Sequence, residues 1–213
     1  MKICYVIGAG DLPLLYIKKE NAYIIAADGG RENLQGITPH ITVGDFDSLG
    51  YIPQNDKTVV LPVEKDVTDM KYAVDVGVEQ GCNTFVLYGG TGGRPDHTFA
   101  NYALLCFLAE KGKRGFLIGD GFVTTAIKNG TYSLPLKNSG TVSVFASGDR
   151  AEGVSIKGLK YLLNCHTLVF SDPLGVSNSF VGKPAEVSVK NGTLLIMWEE
   201  NRIKEFIDNL EKG

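Results

Sequence analysis

The stretch TVGDFDSLG, residues 42–50, joins a short apolar run to two carboxylates, Asp45 and Asp47, placed one residue apart. Its reading decides the fold class. A strand that ends in acidic and glycine residues, in a chain where helical patterns alternate with strands, belongs to an open α/β sheet, whose ligands bind beyond the carboxyl ends of the strands. In extended backbone, residues i and i+2 face the same way with Cα atoms about 6–7 Å apart, so both carboxylates are expected on one face. Like charges so placed repel unless a cation lies between them. Capping or turn formation uses one Asp, whereas a pair adds repulsion that a divalent ion converts into binding energy.

Outward from this stretch a single rhythm holds to about residue 125. KICYVI (2–7), YIIAA (23–27), ITV (41–43), TVVLP (58–62), TFVLY (84–88) and GFLIG (115–119) are short apolar runs of the kind buried on both faces of a parallel sheet. Between them, residues 66–81 carry Met70, Ala73, Val74, Gly77 and Val78 on one helical stripe. Residues 95–112 are expected to carry Phe99, Ala103, Cys106 and Phe107 likewise. From about residue 126 the helical period gives way to TYSLP, GTVSVFAS, GVSIKG and TLVFS, short strands between Gly, Ser and Asn turns. Asn191-Gly192, between two alternating runs, predicts a two-residue hairpin with a type I′ turn. The expected architecture is an α/β N-terminal domain with an open, mostly parallel sheet, residues 1–125, and an all-β sandwich, residues 126–213. A terminal helix is expected through Ile203, Phe206, Ile207 and Leu210.

Composition excludes some partners. The 213 residues are 44% hydrophobic and 21% charged with a formal net charge of -3, so no basic block invites nucleic acid and no charge pattern invites a membrane surface. No apolar stretch is long enough to span a bilayer, and the apolar run at the N-terminus is broken too early for a signal peptide. The expected location is cytoplasmic. Cys4, Cys82, Cys106 and Cys165 share no metal-type spacing and are read as reduced packing residues.

Polar residues collect where the α/β strands end: Gly8-Ala9-Gly10-Asp11, Asp28-Gly29-Gly30, Gly44 to Ser48, Asp66 to Asp69, and Gly89 to His97. GAGDLP has two of the three glycines of a dinucleotide fingerprint, and a plain tight turn explains it equally well. Asp66 and Asp69 serve either a ligand or an acidic helix start with Asp66 as its cap. GGTGGRPDH has four glycines in five residues, whose N–H groups suit phosphate oxygens. Pro95 suits a first helical turn, placing Arg94, Asp96 and His97 at a positive helix end, where Arg94 can neutralise phosphate. His97 acts on a proton, a phosphate or a base, or is structural; His40 and His166 are read as structural. Carboxylates, a glycine cradle and an Arg are the equipment for a Mg²⁺-bound nucleoside triphosphate.

In order along the chain stand ADGG (27–30), GDFDS (44–48), DVTD (66–69), GGTGGRPDH (89–97), GLKY (158–161) and SNS (177–179). In these motifs the sequence resembles the thiamine pyrophosphokinases over nearly its whole length. The resemblance implies transfer of pyrophosphate from ATP to thiamine, giving thiamine diphosphate and AMP, by a homodimer with sites between subunits. It implies that Asp28, Asp45, Asp47 and Asp69 organise Mg²⁺ and phosphates with Asp66 beside them, and that Gly29, Gly30, Gly90, Arg94 and Asp96 contact ATP. Asp45, Asp47, Asp69 and Arg94 are then the catalytic candidates, and Ser177 and Asn178 resemble thiamine contacts. Thr68 suits a metal-bound water or a helix cap. Two features depart from the pattern: Arg31-Glu32-Asn33 replaces the small residue and Asn common after ADGG, and Trp198 lies two positions along its strand from the stacking Trp of animal-type relatives. A shift of two keeps the face, so Trp198 either stacks on the thiazolium ring or packs in a β core. Two rivals, a metal-dependent nucleotide-sugar glycosyltransferase and a non-catalytic nucleotide sensor, account for the Asp pair but not for DVTD, GGTGGRPDH and SNS together.

Overall fold

Ile3–Ile7, the first strand β1, has no solvent-accessible residue. Burial on both faces marks the centre of a parallel sheet, and β1 pairs in parallel with β2 (Ala22–Ala27) on one side and β5 (Thr84–Tyr88) on the other. The computed structural model describes residues 2–12, 14–46, 50–53, 57–62 and 66–210. The chain forms two units, Met1–Leu104 with Gly115–Gly121 and Asn201–Gly213, and Leu105–Arg114 with Phe122–Glu200.

In the first unit, β3 (Ile41–Gly44), β4 (Thr58–Val60) and β6 (Arg114–Gly119) complete the strand order β4-β3-β2-β1-β5-β6. β4 is the short edge, with Val60 exposed, as edge strands tend to be. Strand order reverses between β1 and β5, so a crevice opens there beyond the carboxyl ends. Helix α1 (Asp69–Glu79) buries Met70, Ala73, Val74 and Gly77 of the stripe its spacing predicts, and leaves Val78 half-buried. Its cap is Thr68, whose Oγ1 accepts from Lys71 N at 3.2 Å, rather than Asp66. Gly77 lets α1 lie close, since a Cβ there would stand 2.7 Å from Cys4 Sγ.

Helix α2 (Pro95–Glu110) starts at Pro95 as read, but buries the wrong stripe for the sequence reading. Asn101, Leu104, Leu105 and Leu108 are buried, whereas Phe99 is 65% exposed and Ala103 is also outside. The helix is apolar on nearly every side, so no polar face marks which side points outward. The terminal helix α3 (Ile203–Asn209) sets Phe206 edge-on to Phe116 of β6, with ring centres 5.3 Å apart. The remaining strand expectations of this unit are met.

The second unit is antiparallel. Its strands are β7 (Phe122–Lys128), β8 (Thr131–Ser133), β9 (Thr141–Lys157), β10 (Leu163–Val169), β11 (Asn178–Ser179), β12 (Glu186–Ser188) and β13 (Asn191–Glu199). GTVSVFAS and GVSIKG, read as two strands, are one strand, β9. Residues 141–147 pair with β13 and β11, and residues 150–157 pair with β10 and β12, so β9 passes from one sheet into the other. A strand that changes sheets makes the corner of a sandwich.

The expected hairpin at Asn191-Gly192 does not form. β12 pairs with β8 and β9, β13 pairs with β7 and β9, and Asn191 and Gly192 already belong to β13. Glycine is needed there for another reason: φ is 116°, and a Cβ would lie 2.9 Å from Ala151 Cα. The pair marks a bulge against β9, and Gly192 N donates to Asn129 Oδ1 at 2.8 Å. No cysteine forms a disulfide; Cys4 and Cys82 are buried, Cys106 is half-buried, and Cys165 is exposed, so packing does not describe Cys165.

Candidate active site

The strands of the first unit end level with one another. Ile7 is in register with Ala26 and Tyr88, Ala27 with Val43, and Gly44 with Val60. Gly8, Asp28, Asp45 and Gly89 therefore leave the sheet along one rim. A side chain at Gly44 would meet Asp28 Cα at 2.9 Å, so the backbone of Asp28 rests directly on the end of β3. Asp28 adopts φ 48° and its Oδ1 is buried. Non-glycine residues seldom take that conformation, and such outliers gather at functional sites. Gly30 is equally constrained: a Cβ would stand 1.9 Å from Ile7 O, which holds the 3-10 turn Asp28–Leu34 against β1.

The loops after β1 and β5 are tied together. Gly8 N donates to Tyr88 O at 2.8 Å and Gly10 N to Gly89 O at 2.9 Å. Asn33 Nδ2 donates to Gly8 O at 2.8 Å and to Gly10 O at 3.0 Å. Asn101 Nδ2 donates to Gly90 O at 2.8 Å from a buried position on α2. Met70 Sδ would lie 3.1 Å from a Cβ at Gly8, so the first turn of α1, with Thr68 and Asp69, reaches the same rim. Asp11 lies beside Gly92, 3.4 Å from the place of its missing Cβ.

The backbone leaves the extended conformation before the second residue of the acidic pair is reached. β3 stops at Gly44, and Phe46, buried with φ 59°, turns the backbone immediately after Asp45. The extended spacing assumed for Asp45 and Asp47 thus ends at Phe46; Asp47 lies outside the described residues. Asp66 is exposed. Among the described residues no three His, Cys, Asp or Glu side chains stand close enough together to hold a metal ion.

Arg94, Asp96 and His97 are exposed at the start of α2, where Arg94 O accepts from Thr98 N. Arg94 Nε and Nη2 donate to the two carboxylate oxygens of Asp96 at 3.2 and 2.6 Å. The hydrogen bonds from Arg94 hold Asp96 below the usual carboxylate range, and Asp96 raises Arg94 in turn. His40 accepts from Ile24 N through Nδ1 at 3.0 Å, a structural role as read.

In the second unit a cavity of about 330 Å³ is lined by Ile156, Tyr161, Leu163, Leu174, Gly175, Val176 and Asn178. Asn178 Oδ1 accepts from Tyr161 N at 2.9 Å and Ser179 N at 2.8 Å, and its Nδ2 donates to Tyr161 O at 2.6 Å. Its amide therefore holds Tyr161 in the cavity wall, with one N–H to spare. Ser177 is exposed, in the left-handed region at φ 60°. Trp198 is fully buried with Leu194 and Ile196 on its face of β13, and its ring centre is 5.6 Å from that of Tyr132, which favours packing over stacking on a ligand. Sequence reasoning missed Asn33, Asn101 and the cavity. The cavity's sign in the sequence was the pair of motifs GLKY and SNS, which supply the lining residues Tyr161 and Asn178.

The family model for the catalytic domain of thiamin pyrophosphokinase matches residues 14–117, and that for its vitamin B1 binding domain matches residues 131–194. The chain belongs to the thiamin pyrophosphokinase family. It is accordingly an ATP-dependent enzyme that transfers pyrophosphate to thiamine. The thiamine pyrophosphokinase of Bacillus subtilis (strain 168) is 27% identical over 188 residues, 84% of this chain and 87% of that protein. The crystal structure of the Geobacillus thermodenitrificans family member is 28% identical with a TM-score of 0.80, covering 94% of this chain and 98% of that one. The fold is also that of the Candida albicans thiamin pyrophosphokinase structure, at 16% identity, a TM-score of 0.74, and coverage of 93% and 90%.

Proposed function

We propose that the rim of the first unit binds Mg²⁺-ATP and that the second unit supplies the thiamine contacts for the pyrophosphoryl transfer. Asp28, Asp45, Asp47 and Asp69, of which the described ones form no closed metal cluster on their own, would hold the metal and organise the phosphates once Mg²⁺-ATP draws them together, with Asp66 and Thr68 nearby. This all-oxygen, acidic set is the hard kind that magnesium prefers. The observation that supports the reading is the contact of Asp28, the first residue after β2, with Gly44 at the end of β3, one residue before Asp45. Bound Mg²⁺ supplies charge neutralisation to the triphosphate.

The chain's own groups do the rest. Gly29, Gly30 and Gly90 let the backbone approach the nucleotide, and Arg94 moves from Asp96 onto phosphate, leaving Asp96 and His97 to face the nucleotide. Arg94 then stabilises the charge that develops as AMP departs, while the thiamine hydroxyl is held in line with the β-phosphorus. Ser177 and the spare N–H of Asn178 hydrogen-bond thiamine at the cavity. The working form is a cytoplasmic homodimer with sites between subunits, which the exposed Tyr161, Leu162, Phe170 and Leu174 of the second unit support.

The deciding measurement is thiamine-dependent AMP formation with Mg²⁺. Asp45→Asn and Asp47→Asn should each lower kcat/KM about a hundredfold or more with the fold intact by circular dichroism, as loss of transition-state charge stabilisation does. Full activity in either variant would remove that residue from the metal site. A nucleotide-sugar glycosyltransferase or a silent sensor would form no AMP, and neither accounts for the vitamin B1 binding domain.

A further inference from the structure

The residues that follow ADGG in this chain place Asn33 where its side chain can do something no backbone group at the rim does. Its single NH₂ reaches two carbonyls of one loop, Gly8 O and Gly10 O. Both partners are acceptors, so only the nitrogen end of the amide fits toward them. The two peptide planes thus fixed flank Ala9, which is exposed at the crevice between β1 and β5. On its other side the same loop is fixed by the bonds from Gly8 N and Gly10 N to the β5 end. Gly10 cannot retreat, because a Cβ there would lie 2.7 Å from both Gly89 O and Thr91 O.

We infer that Asn33 is a positioning residue for ATP: by holding the carbonyls of Gly8 and Gly10 down into the protein, it turns the intervening backbone of Ala9 outward as part of the phosphate cradle. With two carbonyl dipoles drawn inward, the N–H groups of the same two peptides, those of Ala9 and Asp11, present their positive ends to an anion. Without Asn33, a carbonyl is free to rotate toward the phosphates and repel them. The tie comes from the 3-10 turn, whose approach to β1 depends on Gly30, so the register of ADGG and the shape of the glycine loop are one device. This rests on the reading that ATP binds at the rim.

The test compares Asn33→Asp and Asn33→Ala with Asp45→Asn in the full-length chain. Asp keeps the shape of Asn but sets a carboxylate against two carbonyls, and losing both bonds with added repulsion should raise the KM for ATP about tenfold or more. The KM for thiamine should change less than about twofold, since no thiamine contact moves. The Asn33→Asp defect should shrink as the pH falls and the carboxyl becomes a donor, whereas the Asn33→Ala defect should not. Equal increases in both KM values with a matching loss of Tm, or a pH-independent Asp defect, would overturn the positioning role. An Asp45→Asn enzyme impaired beside unimpaired Asn33 variants would overturn this inference alone; an unimpaired Asp45→Asn enzyme would overturn the rim as the ATP site.

Discussion

A single atom's room decides several positions. Gly30 has Ile7 O where its side chain would start, at 1.9 Å, and no rotamer relieves a clash with backbone. Gly30→Ala should therefore destabilise by about 3 kcal/mol and lower Tm by roughly 10 °C in a domain of this size. A variant melting with the native protein would show that the 3-10 turn moves freely away from β1. Trp198 offers the opposite case, a large side chain with every atom enclosed beside Tyr132. Truncation to Ala should cost about 3–5 kcal/mol and affect both substrates' KM values alike. A thiamine-specific rise in KM at unchanged Tm would instead place the indole at the ligand. Burial also pushes the Tyr132 phenol well above its ordinary value, so that side chain stays neutral throughout the working range.

At the scale of elements, Gly192 provides a measurable distinction between the hairpin expected and the bulge found. Gly192→Ala should lower stability by about 2 kcal/mol, because both φ and the contact with Ala151 oppose a Cβ; an unaffected urea midpoint would argue against the bulge. The same residue shows what was legible. Parallel strands in the first unit could be read directly, since runs such as β1 are apolar throughout, short, and closed by glycine turns, as doubly buried strands are. The partners of β13 could not, because the pairing of β12 with β8 and β9 is set by sandwich topology rather than by the residues between β12 and β13. A better turn signal stood elsewhere: Asp120-Gly121 lies between β6 and β7 with φ 54° and 77°, the type I′ signature. The α2 stripe failed because Phe99 and Leu104 look equally suited to a core. In the candidate site the acidic and glycine residues were legible from their positions at strand ends, while Asn33 and Asn101 were hidden because a carboxamide's role depends on which carbonyls the fold brings to it.

At the scale of the whole chain, the last residues return to the first unit. Tyr16 donates to Asp208 Oδ1 at 2.8 Å, Lys204 pairs with Asp208 Oδ2 at 2.9 Å, and buried Tyr88 donates to Tyr16 O at 2.9 Å. Hydrogen bonds from Lys204 and Tyr16 hold the Asp208 carboxyl below its ordinary range. A depressed carboxyl contributes stability above its unfolded value, near pH 4, and loses it as pH falls through the folded value. The difference in urea midpoint between the native chain and Asp208→Asn should thus be present at pH 6 and fade in more acidic solution, and a constant difference would exclude this ion pair as its source. In the second unit, β9 donates its first half to one layer and its second half to the other. Neither layer can melt while its companion survives, since both lose their central ladder in the same event. Amides of β10, β12 and β13 should accordingly exchange with deuterium through one shared opening, as a single foldon.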